Sequence, residues 1–310
     1  MDCRWEGFFH LGIVYPKLFA HANSGQGPIL ETLSQLLQDP FFSAVEVTWI
    51  KDAAVRRQVR DLLQVSGMAV LFNGAPAIRE MQINLCALDP DQRQTSVAHF
   101  KKVIDEAYYL GAKILHCVSG PDPGPSQRPE ARSRLIDSLE QLCRYALENA
   151  ADYPLVLALE NSDREADRMA LLGPTTETVE VVREVRRHFS NCGILLDQGH
   201  FPLMKENPEQ ALESAQGLLT HVHIGNCYSK DRSKPYFGDK HLPFGVPGSD
   251  VGLAELVAFI RKLRDIGFWG QKSYEALPVI SFEAGPYMGE PPEIVLANLK
   301  RFFARAWAMV

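Results

Sequence analysis

Leu155-Val156-Leu157-Ala158-Leu159-Glu160-Asn161 is an apolar run of strand length that stops on a carboxylate. A run without polar alternation fits a parallel strand covered on both faces rather than an antiparallel strand with one wet side. Seven more short apolar or β-branched runs share this character, at 8–14, 44–49, 68–72, 113–118, 193–197, 220–224 and 279–283. Between them apolar residues recur at i, i+3, i+4 and i+7, the helical period. Ile29–Leu37 is one such stretch, and Leu135, Leu139, Leu142 and Ala146 mark another. Val179, Val182 and Val185 mark a third, and Leu253, Leu256, Phe259, Ile260 and Leu263 a fourth. A last helix is expected over Pro292–Trp307, with proline in its first turn. Parallel neighbours need crossover helices. Eight strands alternating with helices therefore predict an α/β fold with a closed parallel sheet, a single (β/α)8 TIM barrel over residues 1–310.

Composition narrows the function. The chain has 310 residues, 46% of them hydrophobic and 23% charged, which is globular rather than disordered. A net charge of −6 argues against a nucleic-acid partner, since phosphate contacts leave a basic footprint. No apolar run approaches the roughly 18 residues of a membrane span, so no membrane partner is expected. The N-terminal residues carry both charge signs and lack the plan of a signal peptide. Six scattered cysteines form no CxxC pair and read as the reduced thiols of a cytoplasmic protein. There is no Gly-rich nucleotide fingerprint. Two Gly/Pro-rich connections, 119–129 and 225–252, are long enough to be binding loops or a cover.

The chemistry lies in how the strands end. A barrel of this kind carries its active site at the C-terminal ends of its strands. The fifth run ends in Glu160, the sixth in Asp197 with His200 three residues on, the seventh holds His221 and His223, and the eighth ends in Glu283. Burying one carboxylate at the end of an apolar strand is costly without a partner, and burying three together points to a divalent cation. Glu160, Asp197, His223 and Glu283 form the expected ligand set, mostly oxygen with one nitrogen. Such a set favours Mn²⁺ or Mg²⁺ and keeps Co²⁺ and Zn²⁺ in play. His221 shares its parity with His223 and lies two residues deeper, as a supporting or core histidine.

These residues resemble the xylose-isomerase-like TIM barrels, a superfamily of sugar and sugar-phosphate isomerases and epimerases, inosose dehydratases and family-2 apurinic endonucleases. The resemblance places the four metal ligands on Glu160, Asp197, His223 and Glu283. A substrate-facing histidine falls on His200, and the family's Asp-x-His loop falls on Asp239 and His241 within Gly238-Asp239-Lys240-His241-Leu242-Pro243. It implies one divalent metal ion per chain, with Mn²⁺ first. It also implies a sugar or polyol substrate and isomerisation or epimerisation through a metal-stabilised enediolate. Glu160 and Glu283, across the metal from each other, would move the proton. A lyase acting on a keto-sugar or keto-inositol uses the same first step and is the alternative. The ketose 3-epimerase signatures are absent: the chain reads Glu160-Asn161-Ser162-Asp163-Arg164-Glu165 after strand five and Asn226-Cys227-Tyr228 after strand seven. An endonuclease would want a histidine ending strand three, where Asn73 stands. A non-catalytic sugar-binding barrel would not need the full ligand set, and a homo-oligomer is left open.

Several residues carry two readings. Glu46 is either a substrate contact or half of a structural ion pair. His116 either faces the substrate or is a hydrogen-bonded core histidine, and His10 is the same kind of case. Lys230, Asp231, Arg232 and Lys234 either meet a substrate phosphate or form a solvated loop face. Trp49 and Phe244 either wall a sugar ring or belong to the core.

Overall fold

Each apolar run of the sequence pairs in parallel with the next, in a computed structural model that describes residues 4–270 and 277–310. The strands are β1 (His10–Val14), β2 (Ala44–Val47), β3 (Ala69–Asn73), β4 (Ile114–Val118), β5 (Val156–Glu160), β6 (Cys192–Asp197), β7 (Leu219–Gly225) and β8 (Val279–Glu283). β8 returns to β1, with His10 opposite Val279, and the sheet closes. The expected parallel barrel is the observed one.

The helices that cross between strands begin where the sequence supplies a cap. Asp52 accepts from the Ala54 and Val55 amides ahead of Ala53–Ser66, and Asp89 accepts from Gln92 ahead of Pro90–Tyr109. Neither helix stood out from apolar periodicity alone. Pro292–Trp307 runs as expected from a proline in its first turn. Arg128–Glu148 buries Leu135, Leu139, Leu142 and Ala146 completely against the sheet. Full burial of each leucine contributes roughly 1.5–3 kcal/mol. Among the described residues no helix is long and apolar enough to cross a membrane. The five described cysteines are free and buried, and Cys3 lies outside the described residues.

The continuous apolar character of β5 follows from two separate cores. Leu157 and Leu159 face the helices, in the large cluster that fills the space outside the barrel. Val156 and Ala158 face inward, with Ala44, Ala69, Leu71, Ile114, Leu195 and Val279, and plug the barrel. Alternation along each strand then carries Glu160, Asp197, His223 and Glu283 onto the inner side, above that plug. Aromatic rings just before β1 and β8 meet the last helix at the other end of the molecule: Trp269 and Trp307 lie 5.3 Å apart, and Trp5 and Phe303 5.4 Å.

One irregularity sets the histidines in place. Ile194 of β6 pairs with Leu219, but Leu195 pairs with His221, so Thr220 is an extra residue in β7. That bulge brings His223 opposite Asp197. Gly193 leaves the room: a Cβ there would lie 1.7 Å from Thr220 Oγ1. Gly193→Ala is expected to cost about 1–3 kcal/mol by overpacking. Urea unfolding that returned the wild-type midpoint would show that the bulge is loosely packed.

Candidate metal centre and cavity

The inner strand ends converge. One donor atom from each of Glu160, Asp197, His223 and Glu283 lies within 4.8 Å of the others, all four residues being buried. Asp197 is fixed by its surroundings: Oδ1 accepts the Gly199 amide at 2.7 Å, and a Cβ on Gly225 would sit 2.4 Å from that same oxygen. Only glycine lets β7 pass this close. Its other oxygen, Oδ2, is buried without a hydrogen-bond partner among the described residues, as are Glu160 Oε1 and His223 Nδ1. His223 Nδ1 lies 2.7 Å from Glu283 Oε2 without hydrogen-bond alignment. Orphaned, crowded donors of neighbouring strands are what a shared cation relieves. The residues therefore fit a divalent ion.

Behind His223 stands Glu46. Its Oε1 takes His221 Nε2 at 2.7 Å and His223 Nε2 at 3.0 Å, and His221 Nδ1 donates to the Val279 carbonyl at 3.0 Å. Glu46 is fully buried and does not line the cavity. Its register explains this, since it is level with Leu71, two residues short of Asn73 at the mouth of β3. The substrate-contact reading of Glu46 is therefore corrected: it belongs to an ion pair that orients a cluster imidazole.

The remaining candidates surround a cavity of about 170 Å³ above the cluster. His116 Nε2 sits 2.9 Å from Glu160 Oε2, so it is hydrogen-bonded and also lines the cavity. His200 Nδ1 donates to the Asn161 carbonyl at 2.9 Å, which aims Nε2 at Asp239 Oδ1, 3.3 Å away. His241, at a left-handed φ of 55°, places Nε2 3.2 Å from Glu283 Oε1 and 3.5 Å from Asp197 Oδ2. The long connection after β7 thus brings Asp239 and His241 over the site. Asp197, His200 and His241 also have donor atoms within 4.8 Å of one another. Trp49 and Phe244 stay out of the cavity. Phe244 stacks on Phe302 at 4.5 Å, and the Trp49 indole N–H donates to the Asn23 carbonyl. His10 instead meets Ser43 Oγ at 3.1 Å.

The charges answer one another. Burial alone would raise the carboxyls of Glu46, Glu160, Asp239 and Glu283, but the imidazoles facing them hold all four below their ordinary range. Burial would lower His200, His223 and His241, yet the carboxylates around them raise all three above theirs. The cluster demands positive charge, and imidazole protons and a divalent cation are its alternative suppliers.

Three cations at the cavity were not singled out in the sequence. Lys17 Nζ lies 2.9 Å from His241 Nδ1 and 3.8 Å from Glu283. Arg168 binds Asp239 Oδ2 at 2.5 Å, and Arg79 joins them on the wall. Lys17 was readable as a lone charge in the short helix Tyr15–Leu18 that follows β1. Arg168 is set by Asp163, a fully buried carboxylate that accepts the amides of Ala166, Asp167 and Arg168 at 2.6–3.0 Å. Arg164, nearer in sequence, turns away to Glu177.

Comparison with known proteins agrees with this architecture. The family model described as Xylose isomerase-like TIM barrel matches residues 34–295. A D-psicose 3-epimerase of Enterocloster bolteae is 22% identical over 218 residues, 69% of this chain and 63% of that protein. The chain thus spans slightly under two thirds of that relative's length. Among solved structures, a D-psicose 3-epimerase with D-tagatose from Clostridium cellulolyticum H10 superimposes with a TM-score of 0.66 at 18% identity, covering 97% of each chain. The IOLI protein with a binding zinc atom gives 0.69 at 18% identity, covering 96% of this chain and 97% of that one. At these identities the structural likeness shows the fold.

Two outcomes follow for cation binding. The carboxylates around His200, His223 and His241 favour the protonated imidazoles, and a cation that takes over that role displaces protons, so binding strengthens as pH rises, up to about tenfold per pH unit for each proton released. Calorimetry in buffers of different ionisation enthalpy measures the release; none at neutral pH would mean that the cation does not replace imidazole protons. Glu46→Gln leaves all four donors in place and should weaken Mn²⁺ binding by about 10–100-fold. Unchanged affinity would make the pair with His223 purely structural.

Proposed function

The chain belongs to the xylose isomerase-like TIM barrel family, and on that premise we propose that it is a divalent-metal-dependent isomerase or epimerase of a sugar or polyol. The observation that carries this reading is a division among the four cluster residues. Glu160 and Glu283 line the cavity, whereas Asp197 and His223 lie behind its wall. All four would hold the ion, but only the two glutamates also present a carboxylate to whatever fills the space above it. The related epimerases are named for ketohexoses, which accords with a polyol in that space.

When bound, the ion supplies Lewis-acid polarisation of a carbonyl oxygen, which acidifies the neighbouring C–H. The rest falls to the side chains. Glu160 and Glu283 reach the cavity from β5 and β8, and both approach His223 Nδ1, at 3.7 Å and 2.7 Å. One, as the carboxylate, takes the proton from the carbon, and the other passes a proton from the imidazole beside it, His116 for Glu160 or His241 for Glu283, to the opposite face, which inverts that centre. His116, bonded to Glu160, and His241, beside Glu283, stabilise the carboxylate form of each base. His200, held at Nδ1 by the Asn161 carbonyl, directs Nε2 to Asp239 Oδ1, 3.3 Å away, and a substrate oxygen beside Asp239 would share that N–H. The Asp239–His241 segment covers the site and excludes water from the carbanion.

Deuterium exchange at the substrate C–H tests this directly, with ketoses screened as substrates. With Mn²⁺ saturating, Glu160→Gln and Glu283→Gln should each slow exchange by at least about 10²-fold. His200→Ala should chiefly raise KM. If both glutamine variants exchange at the wild-type rate with metal bound, the glutamates are ligands alone and the proposed chemistry fails.

A further inference from the structure

The cavity has two electrical ends. Its floor is acidic, with Glu160, Asp239 and Glu283 almost wholly buried, whereas Lys17, Arg79 and Arg168 stand at its more exposed wall. In a chain of net charge −6, three cations around one opening call for an explanation. Two have one inside the protein. Lys17 meets His241 and Glu283, and Arg168 is bound to Asp239 through side chain and carbonyl. Arg79 touches no carboxylate directly: its one hydrogen bond is to the Asn23 amide oxygen at 3.0 Å, and it joins no ion pair among the described residues, feeling Asp239 and Glu283 only across the cavity.

The position of Arg79 sharpens the point. It sits on the short helix Ala75–Glu80 after β3, whose other residues offer the cavity the apolar surfaces of Pro76 and Ile78. Arg79 and Arg168 line the same opening, so their like charges oppose each other there, and Asp239 and Glu283 on the floor offset part of that repulsion. An anion between them relieves that repulsion and uses donors that Arg79 leaves free. Among the described residues no Phe, Tyr or Trp ring lines the cavity, so a sugar ring has no aromatic face to stack on there. The loop cations Lys230 and Arg232, which a substrate phosphate might have met, instead donate to the Gly248 and Glu165 carbonyls.

We infer that the substrate is an anionic polyol, a sugar bearing a carboxylate or a phosphate, with its hydroxyl or carbonyl end toward the glutamates and its anion between Arg79 and Arg168. This rests on the isomerase reading of the same cavity and specifies its substrate class. It sets the chain apart from the relative solved with D-tagatose, an uncharged sugar.

Binding tests the inference without turnover. Sorbitol, sorbitol 6-phosphate and gluconate are six-carbon polyols that cannot isomerise, and their equilibrium affinities for the Mn²⁺-loaded protein are measured side by side. At least one anion should bind about tenfold or more tightly than sorbitol, and which of the two does so separates phosphate from carboxylate. Arg79→Gln should reduce that advantage to within about twofold, and Arg79→Lys should restore part of it. Equal binding of all three, binding of none, or an advantage that survives Arg79→Gln overturns the inference. The last result would mean that the anion sits on the metal. Failure of the isomerase reading has its own signature, no exchange of the C–H on any ketose, charged or neutral, so the two failures are told apart.

Discussion

Five carboxylates, Glu46, Glu160, Asp197, Asp239 and Glu283, are buried around the closed end of one cavity. Water cannot stabilise them there, and an isolated buried carboxylate would take up a proton instead. Everything else about the site answers that constraint. Imidazoles from β4, β7 and the loops after β6 and β7 face the carboxylates, Arg168 and Lys17 reach in from two other loops, and four donor atoms leave a place for a cation. The barrel provides the rigidity that keeps these charges from rearranging, because Glu160, Asp197, His223 and Glu283 are carried near the ends of strands that are packed on both sides.

The loops over the site are braced against each other rather than free. Arg168 and Asp167, after β5, hold Asp239 and Lys240, after β7, by side-chain and backbone contacts. Arg232 crosses back to the Glu165 carbonyl, and a bridge between Tyr228 and Gly238 folds the cover on itself. The covered side of the cavity is therefore built by β5 to β8. Lys17, Asn23 and Arg79 form the other side, tied by the contacts of Lys17 with His241 and of Arg79 with Asn23, and the anionic end of a substrate would meet the protein there.

How much of this was legible depended on periodicity. Strands buried on both faces announce themselves as unbroken apolar runs, and the last inward residue of such a run is forced to the site. Glu160, Asp197, His223 and Glu283 were readable for that reason. Glu46 obeys the same parity but ends one layer lower, and depth along a strand depends on the stagger between neighbours, which has no local signal. Thr220 is hidden for a similar cause, since a bulge exists only relative to the partner strand. Arg168 and Arg79 ride on irregular segments whose path is set by Asp163 and by a helix of six residues. After β5 Arg164 turns away to Glu177, and a buried aspartate directs Arg168 to the site.

The bond between Glu46 and His223 joins residues 177 positions apart. It bears on the order in which the molecule can come into being. The donors arrive from residues 160 to 283, and the carboxylate that steadies one of them is made near the beginning of the chain. Until β8 has been synthesised and has closed against β1, no part of the polypeptide holds the complete set. Contacts of such long sequence separation form late and slowly. Ion capture is thereby tied to completion of the barrel, and a nascent or truncated chain carries scattered acidic side chains in place of a centre.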